Sequence, residues 1–339
     1  MKFSEIIGQD NVVNSLKNIL STENINHAYI FSGPVGIGKT TVAKVFSTTL
    51  LCENSKEDSC NDCIACKTMS LGTNPDFHII EPDGLFIGIE KIRTLQENIL
   101  VKPMYSSRKI YLIRNADKMT VAAQNCLLKT LEEPPKHIVI ILTCNNLEGL
   151  LETVKSRSTR YNFKKNSPIE VKSYLQKILG NTQENLDFII AYSDGIIGRA
   201  LLLASSAEFS CIRDTVFQII FNITESKFKE ILFEKNFFEK NKTEFETILD
   251  IMLSVYRDLI VAKKLSNYSI LINVDKKDII FRCMEMFTTT KLIECVQTIE
   301  KTRKNIKQNA NYMLAIETML IKLKGEGCNL DGKSYRCKI

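Results

Sequence analysis

The sequence predicts an α/β module built on a parallel sheet around a phosphate-binding loop, followed by a half that is entirely helical. Three observations carry this. Short apolar runs alternate with helical periods over the first 165 or so residues. Residues 33–40 read "GPVGIGKT", which fits G-x-x-x-x-G-K-[ST] at every fixed position. After residues 166–170, "NSPIE", no strand pattern remains and helical spacing takes over.

The elements follow in order. "HAYIFSG" (27–33) is short, apolar and closed by glycine, a strand signal. "GKTTVAKVFSTTLLC" (38–52) places Val42, Val45, Phe46 and Leu50 at helical spacing. "DFHIIEPD" (76–83) is a second strand, ended by Pro82. "IGIEKIRTLQENIL" (87–100) has a helical period through Ile89, Ile92, Leu95 and Ile99. "KIYLI" (109–113) is a third strand, "TVAAQNCLLKTLEEPP" (120–135) a helix stopped by two prolines, and "HIVIILT" (137–143) a fourth strand. The unbroken apolar character of that last run is expected when both sheet faces are covered. Further on, Phe245, Ile248, Leu249, Met252, Val255, Tyr256 and Leu259 form one helical stripe, and a last helix spans about Tyr312 to Leu323. The polar end "GEGCNLDGKSYRCKI" reads as a frayed tail.

A chain of 339 residues is too long for one ordinary core, so two or three domains are expected. Its 44% hydrophobic and 25% charged content excludes the disordered and membrane-spanning classes. The net charge of +6 is spread along the chain and permits nucleic-acid contact without arguing for it. "MKFSEIIGQD" lacks the apolar run of a signal peptide, and the longest apolar run, "IVIIL" at 138–142, is too short to span a bilayer. A cytoplasmic protein with no membrane partner is expected. Cysteines of such a chain do not form a disulfide framework, and scattered ones such as Cys126 and Cys295 read as small core side chains.

Three motifs carry chemistry. In the phosphate loop, Gly33, Gly36 and Gly38, next to Pro34, let backbone N–H groups turn inward around a phosphate. Lys39 brings a positive charge to the outer phosphates, and Thr40, followed by Thr41, offers a hydroxyl to Mg²⁺ at a helix N-terminus. ATP or ADP is the ligand such a loop takes. "CENSKEDSCNDCIAC" holds Cys52, Cys60, Cys63 and Cys66 within 15 residues, enough to close a structural tetrahedral Zn²⁺ site. An iron–sulfur cluster fits the spacing less well, and free thiols are the bland alternative. The third motif is an anomaly. The strand 109–113 ends in Arg114 and Asn115, where a phosphate-loop enzyme needs acids to hold Mg²⁺ and activate water. Asn115 cannot accept a proton, a role worth about 10² to 10⁴ in rate. Arg114 puts a cation where a cation should bind. Mg²⁺ is therefore disfavoured and hydrolysis is expected to be slow or absent; Asp117, beyond the turn, is a weaker candidate for the missing acid.

Together "IIGQDNVVNSL", "HAYIFSGPVGIGKTT", the four inserted cysteines, "LLKTLEEPP" and Ser156-Arg157 resemble a bacterial clamp-loader subunit of the AAA+ family. The likeness covers essentially the whole chain. "GTNPDFHIIEPDG" (72–84), "VYRDLIVAKKL" (255–265) and "NANYMLAIETMLIKL" (309–323) resemble the delta-prime type of DNA polymerase III rather than the gamma/tau motor type. The resemblance implies an AAA+ module (1–165) with a zinc-binding insertion (52–66), a helical lid (166–208), a helical collar (209–330) and a flexible tail (331–339). It further implies a hetero-pentamer with delta and gamma/tau, acting on the sliding clamp and primer-template DNA as part of the polymerase III holoenzyme. Arg157, with Ser156, matches the arginine finger that such a subunit lends in trans to a neighbour's ATP site, although Ser158 replaces the family's cysteine. Asn145 matches the polar γ-phosphate sensor. Gly198 stands where a motor carries its own sensing arginine, and Arg199 is one residue late, turned by about 100°. The opposing expectation is an active gamma/tau-like ATPase motor.

Overall fold

A computed structural model describes residues 2–55, 57–180, 186–225, 232–265 and 270–324. The tail expected at 331–339 lies outside the described residues. The chain divides into two compact units, residues 1–181 with 193–201, and residues 182–192 with 202–339.

The first unit runs α1 (Asp10–Thr22), β1 (Ala28–Ser32), α2 (Lys39–Leu51), α3 (Ile64–Leu71), β2 (Phe77–Ile80), α4 (Ile89–Ile99), β3 (Lys109–Ile113), α5 (Val121–Glu132), β4 (Ile138–Cys144), α6 (Glu152–Ser156), β5 (Thr159–Asn162) and α7 (Pro168–Leu179). The five strands form one sheet in the order β2-β3-β4-β1-β5, every pair parallel. Period-2 alternation sends Tyr29, Phe31, Ile110, Leu112, Val139 and Ile141 into a core shared with Val12 and Leu16 of α1 and Val42 and Phe46 of α2. Ala28, Ile30, Tyr111, Ile113, Ile140 and Leu142 join the opposite core, with Ile92 and Leu95 of α4 and Ala123 and Leu127 of α5.

Four strands match the sequence expectation, and β5 is an addition. Its residues "TRYN" alternate between half-buried and exposed, with Arg160 and Asn162 outward. A polar edge strand of four residues buries too little apolar surface to show in a hydropathy pattern.

Asp76, only 1% exposed, explains part of the stretch 72–84. Its carboxylate accepts the backbone N–H groups of Met104, Tyr105 and Ser106 at 2.7, 2.8 and 3.0 Å, which fixes the connection between α4 and β3. A buried carboxylate is tolerable there because three donors replace its water.

The second unit is helical among its described residues. α8 (Leu186–Ser193) and α9 (Ile197–Ser205) cross the division, and α10 (Ala207–Glu225), α11 (Lys235–Lys240), α12 (Phe245–Lys264), α13 (Lys277–Met286), α14 (Thr289–Lys307) and α15 (Tyr312–Leu323) follow. The stripe on α12 is buried, with Ile248, Leu249, Met252, Tyr256 and Leu259 at 0% exposure. Arg213 lies 3.5 Å from the Phe188 ring centre and makes a two-pronged ion pair with Asp275. No described helix is long and apolar enough to cross a membrane.

Candidate functional site

The phosphate loop joins β1 to α2, where the chain must turn sharply from a buried strand into a helix. Gly36 and Gly38 take φ values of 81° and 106°, a region that favours residues without Cβ. Lys39 is the first residue of α2, with Thr40 half-buried and Thr41 exposed behind it. The Lys39 side chain is folded into its own loop. Its Nζ donates to the carbonyls of Gly33 and Pro34 at 2.6 and 2.7 Å, and to Asn145 Oδ1 at 3.0 Å. An ammonium has three N–H donors, so these acceptors satisfy it. Lys39 is 7% exposed. Burial lowers its pKa, opposed by the nearby carboxylate of Asp117.

Asn145, immediately after β4, ties the loop to β3. Its backbone N–H donates to Asp117 Oδ1 at 3.2 Å, and its Nδ2 to Asn115 Oδ1 at 3.2 Å. The structure brings Asn145 onto Lys39, a contact the sequence did not specify. The Arg114 side chain forms an ion pair with Glu81, next to β2. The acid that does reach the loop is Asp117, an electrostatic partner of Lys39. It lies on a short turn after β3, past the strand end where the pattern locates such acids, and only the backbone path brings it back. This network holds a lysine, two amides and a carboxylate. That donor set suits a phosphate better than a divalent cation, which prefers several carboxylate or carbonyl oxygens.

Gly198 lies against the same loop. Its backbone N–H donates to Gly36 O at 2.9 Å. A Cβ at position 198 would sit 2.7 Å from that oxygen, so glycine is required for the contact. The segment is held down by Asn166, whose backbone N–H and Nδ2 donate to Gly195 O at 2.9 and 3.1 Å.

The four cysteines converge. The sulfurs of Cys52, Cys60, Cys63 and Cys66 all lie within 4.8 Å of one another. Zinc bound by four thiolates at about 2.3 Å has sulfur–sulfur edges of about 3.8 Å. The Cys60–Cys66 separation is 3.9 Å. Backbone N–H groups of Cys63 and Asp62 point at Cys60 Sγ at 3.3 and 3.4 Å, and Cys66 N–H points at Cys63 Sγ at 3.4 Å. Those donors pull the Cys60 thiol down to about 6, the Cys63 N–H contributing most. Burial pushes the Cys66 thiol upward. The arrangement fits a closed structural metal site with no open position for chemistry.

Arg157 caps the C-terminus of α6, away from the loop network. Its Nη1 donates to Thr153 O at 3.1 Å and lies 3.4 Å from Ser156 Oγ; its Nη2 pairs with Glu132 Oε1 at 2.9 Å. Ser156 is exposed and its hydroxyl donates to Thr153 O at 3.1 Å. Glu132 lies in "LLKTLEEPP", and its contact with Arg157, 25 positions away, leaves no periodic signal in the sequence.

Residues 8–167 match the family model for the DNA polymerase III delta subunit, and residues 208–325 match the model for the C-terminal part of that subunit. The chain belongs to the DNA polymerase III clamp-loader family. It is 28% identical over 320 residues to the delta' subunit of Bacillus subtilis, covering 93% of this chain and 96% of that one. It is also 28% identical over 346 residues to the tau subunit of B. subtilis, covering 95% of this chain and 61% of that one. The gamma subunit of Buchnera aphidicola is 35% identical over 187 residues, or 55% of this chain and 51% of that one. The chain thus spans nearly all of one relative and about half to three fifths of the others. As a clamp-loader AAA+ chain, it carries the phosphate loop with its lysine turned inward and a surface arginine on a separate helix end.

Proposed function

We propose that this chain is a delta-prime-type, non-motor subunit of the clamp loader. In this role it helps load the sliding clamp onto primed DNA in the cytoplasm. Its own ATPase activity is weak or absent, and it lends Arg157, with Ser156, to the ATP site of a neighbouring gamma/tau subunit. The observation that supports this most is the contrast between two sites. The chain's own loop has Arg114 and Asn115 in place of strand-end acids, and a backbone contact of Gly198 in place of a sensing arginine. Arg157 is 37% exposed at a helix end and does not serve that loop. An arginine brought to a transferring phosphoryl group stabilises its charge and is worth about 10³ or more in rate.

The three-part division into an AAA+ module (1–165), a lid (166–208) and a collar (209–330) belongs to the same proposal, as does assembly with delta and gamma/tau in a hetero-pentamer. Zn²⁺ held by Cys52, Cys60, Cys63 and Cys66 staples the insertion. ATP or ADP, gripped by Gly33, Pro34, Gly36, Gly38, Lys39, Thr40, Thr41 and Asn145, is a structural ligand.

One observation favours a second role, that of a gamma/tau-like motor. The phosphate loop is complete, and Asp117 lies within electrostatic reach of Lys39. Steady-state ATP turnover of the purified chain separates the two. Motor-like turnover abolished by Lys39→Ala overturns the non-motor role. In the reconstituted loader, Arg157→Ala is expected to lower ATP turnover while complex formation is retained; unchanged turnover removes the finger role.

A further inference from the structure

We infer that Glu132 is the positioning residue for Arg157, holding the guanidinium in the attitude in which it meets a neighbour's phosphate. This rests on the reading of Arg157 as a residue that acts in trans. Glu132 is the last residue of α5, which ends against Pro134 and Pro135. A carboxylate at a helix C-terminus faces the negative end of the helix dipole, an unfavourable place for it unless a cation stands beside it. Arg157 is that cation, at 2.9 Å.

The ion pair itself contributes little to stability, since its side chains are 37% and 49% exposed and such pairs are weak. Its effect is geometric. Thr153 O and Ser156 Oγ hold Nη1, and Glu132 holds Nη2. A guanidinium carries five N–H groups, so donors remain for a phosphoryl oxygen. The two anchoring elements are themselves locked together. Gln124 of α5 is 2% exposed; its Oε1 accepts the Leu151 N–H at 2.8 Å and its Nε2 donates to Gly149 O at 2.9 Å. These bonds fasten α5 to the chain entering α6, so the separation of Glu132 and Arg157 is built into the module. Fixing a long side chain beforehand spares its ordering cost when the subunits meet.

The test uses the loader reconstituted with its partner subunits, assayed for ATP turnover over a range of ATP concentrations. Glu132→Gln is expected to lower kcat about three- to ten-fold with KM within two-fold, and Glu132→Asp to recover part of the loss. Glu132→Gln on the Arg157→Ala background is expected to cause no further loss. A full effect of Arg157→Ala with none from Glu132→Gln overturns the positioning role alone. An equal loss from Glu132→Gln in both backgrounds also overturns it. No effect of Arg157→Ala removes the trans role and this inference with it. Urea midpoints of the variants, expected to match the parent, show that kcat changes are not losses of folded protein.

Discussion

The backbone N–H of Gly198 donates to the carbonyl of Gly36 at 2.9 Å, so the start of α9 is packed onto the phosphate loop. A side chain at 198 would have to push that oxygen aside, because its Cβ would lie only 2.7 Å away. Gly198→Ala is expected to destabilise the first unit by about 1–3 kcal/mol, the usual cost of overpacking. A urea midpoint equal to the parent's would disprove the close contact. Gly198→Arg is expected to fail to create motor activity, since the loop must shift to admit it.

Lys39 and Asn145 make the second testable pair. The ammonium is 7% exposed and depends on three acceptors, of which Asn145 Oδ1 is the sole side chain among the bonds it makes. Asn145→Ala leaves a buried charge short of one partner. A loss of about 1.5–3 kcal/mol is expected in the absence of nucleotide, the range for bonds to charged groups. If Asn145 were only a turn residue at the end of β4, denaturation would not register the change.

Metal content tests the cysteine cluster. Purified protein is expected to hold close to one zinc per chain, lost on strong chelation. Removal leaves Cys52, Cys60, Cys63 and Cys66 without the centre they surround and frees the segment before α3. A loss of about 3 kcal/mol would lower Tm by roughly 6–12 °C at the sensitivity of a domain this size. Cys66→Ser, at the buried ligand, is expected to reproduce the shift. A folded, metal-free protein with the parent's Tm would rule the site out.

Two core tyrosines of the first unit contribute to the alkaline limit. Burial pushes Tyr29 and Tyr111 up to about 12 from the ordinary value near 10. A folded-state pKa above the unfolded one favours the protonated form on folding. Its contribution is therefore complete below pH 10 and is lost as pH rises towards 12. Thermal melts are expected to show falling Tm above pH 10, with a smaller fall in Tyr111→Phe. Tyr111 is 1% exposed and its hydroxyl finds no partner among the described residues. Tyr111→Phe is accordingly expected to be neutral or stabilising at pH 7, by up to about 1 kcal/mol. A clear destabilisation would reveal a bond to that hydroxyl.

What the sequence determined by itself is local or periodic. The strands β1 to β4 and helix α5 are legible because apolar alternation, helical period and proline stops are properties of adjacent residues. The phosphate loop and the cysteine cluster are legible because their ligands are close in the chain. Family membership is legible because many short stretches agree in order. Tertiary structure decided the rest. It paired Arg114 with Glu81 and brought Asp117 back towards Lys39. It pressed Gly198 onto Gly36 and set Glu132 against Arg157. These pairs join separate elements, and their energies depend on the direction of a side chain at the end of a strand or helix. No periodicity encodes that direction; it is fixed only when the sheet order β2-β3-β4-β1-β5 places one element's end beside another's.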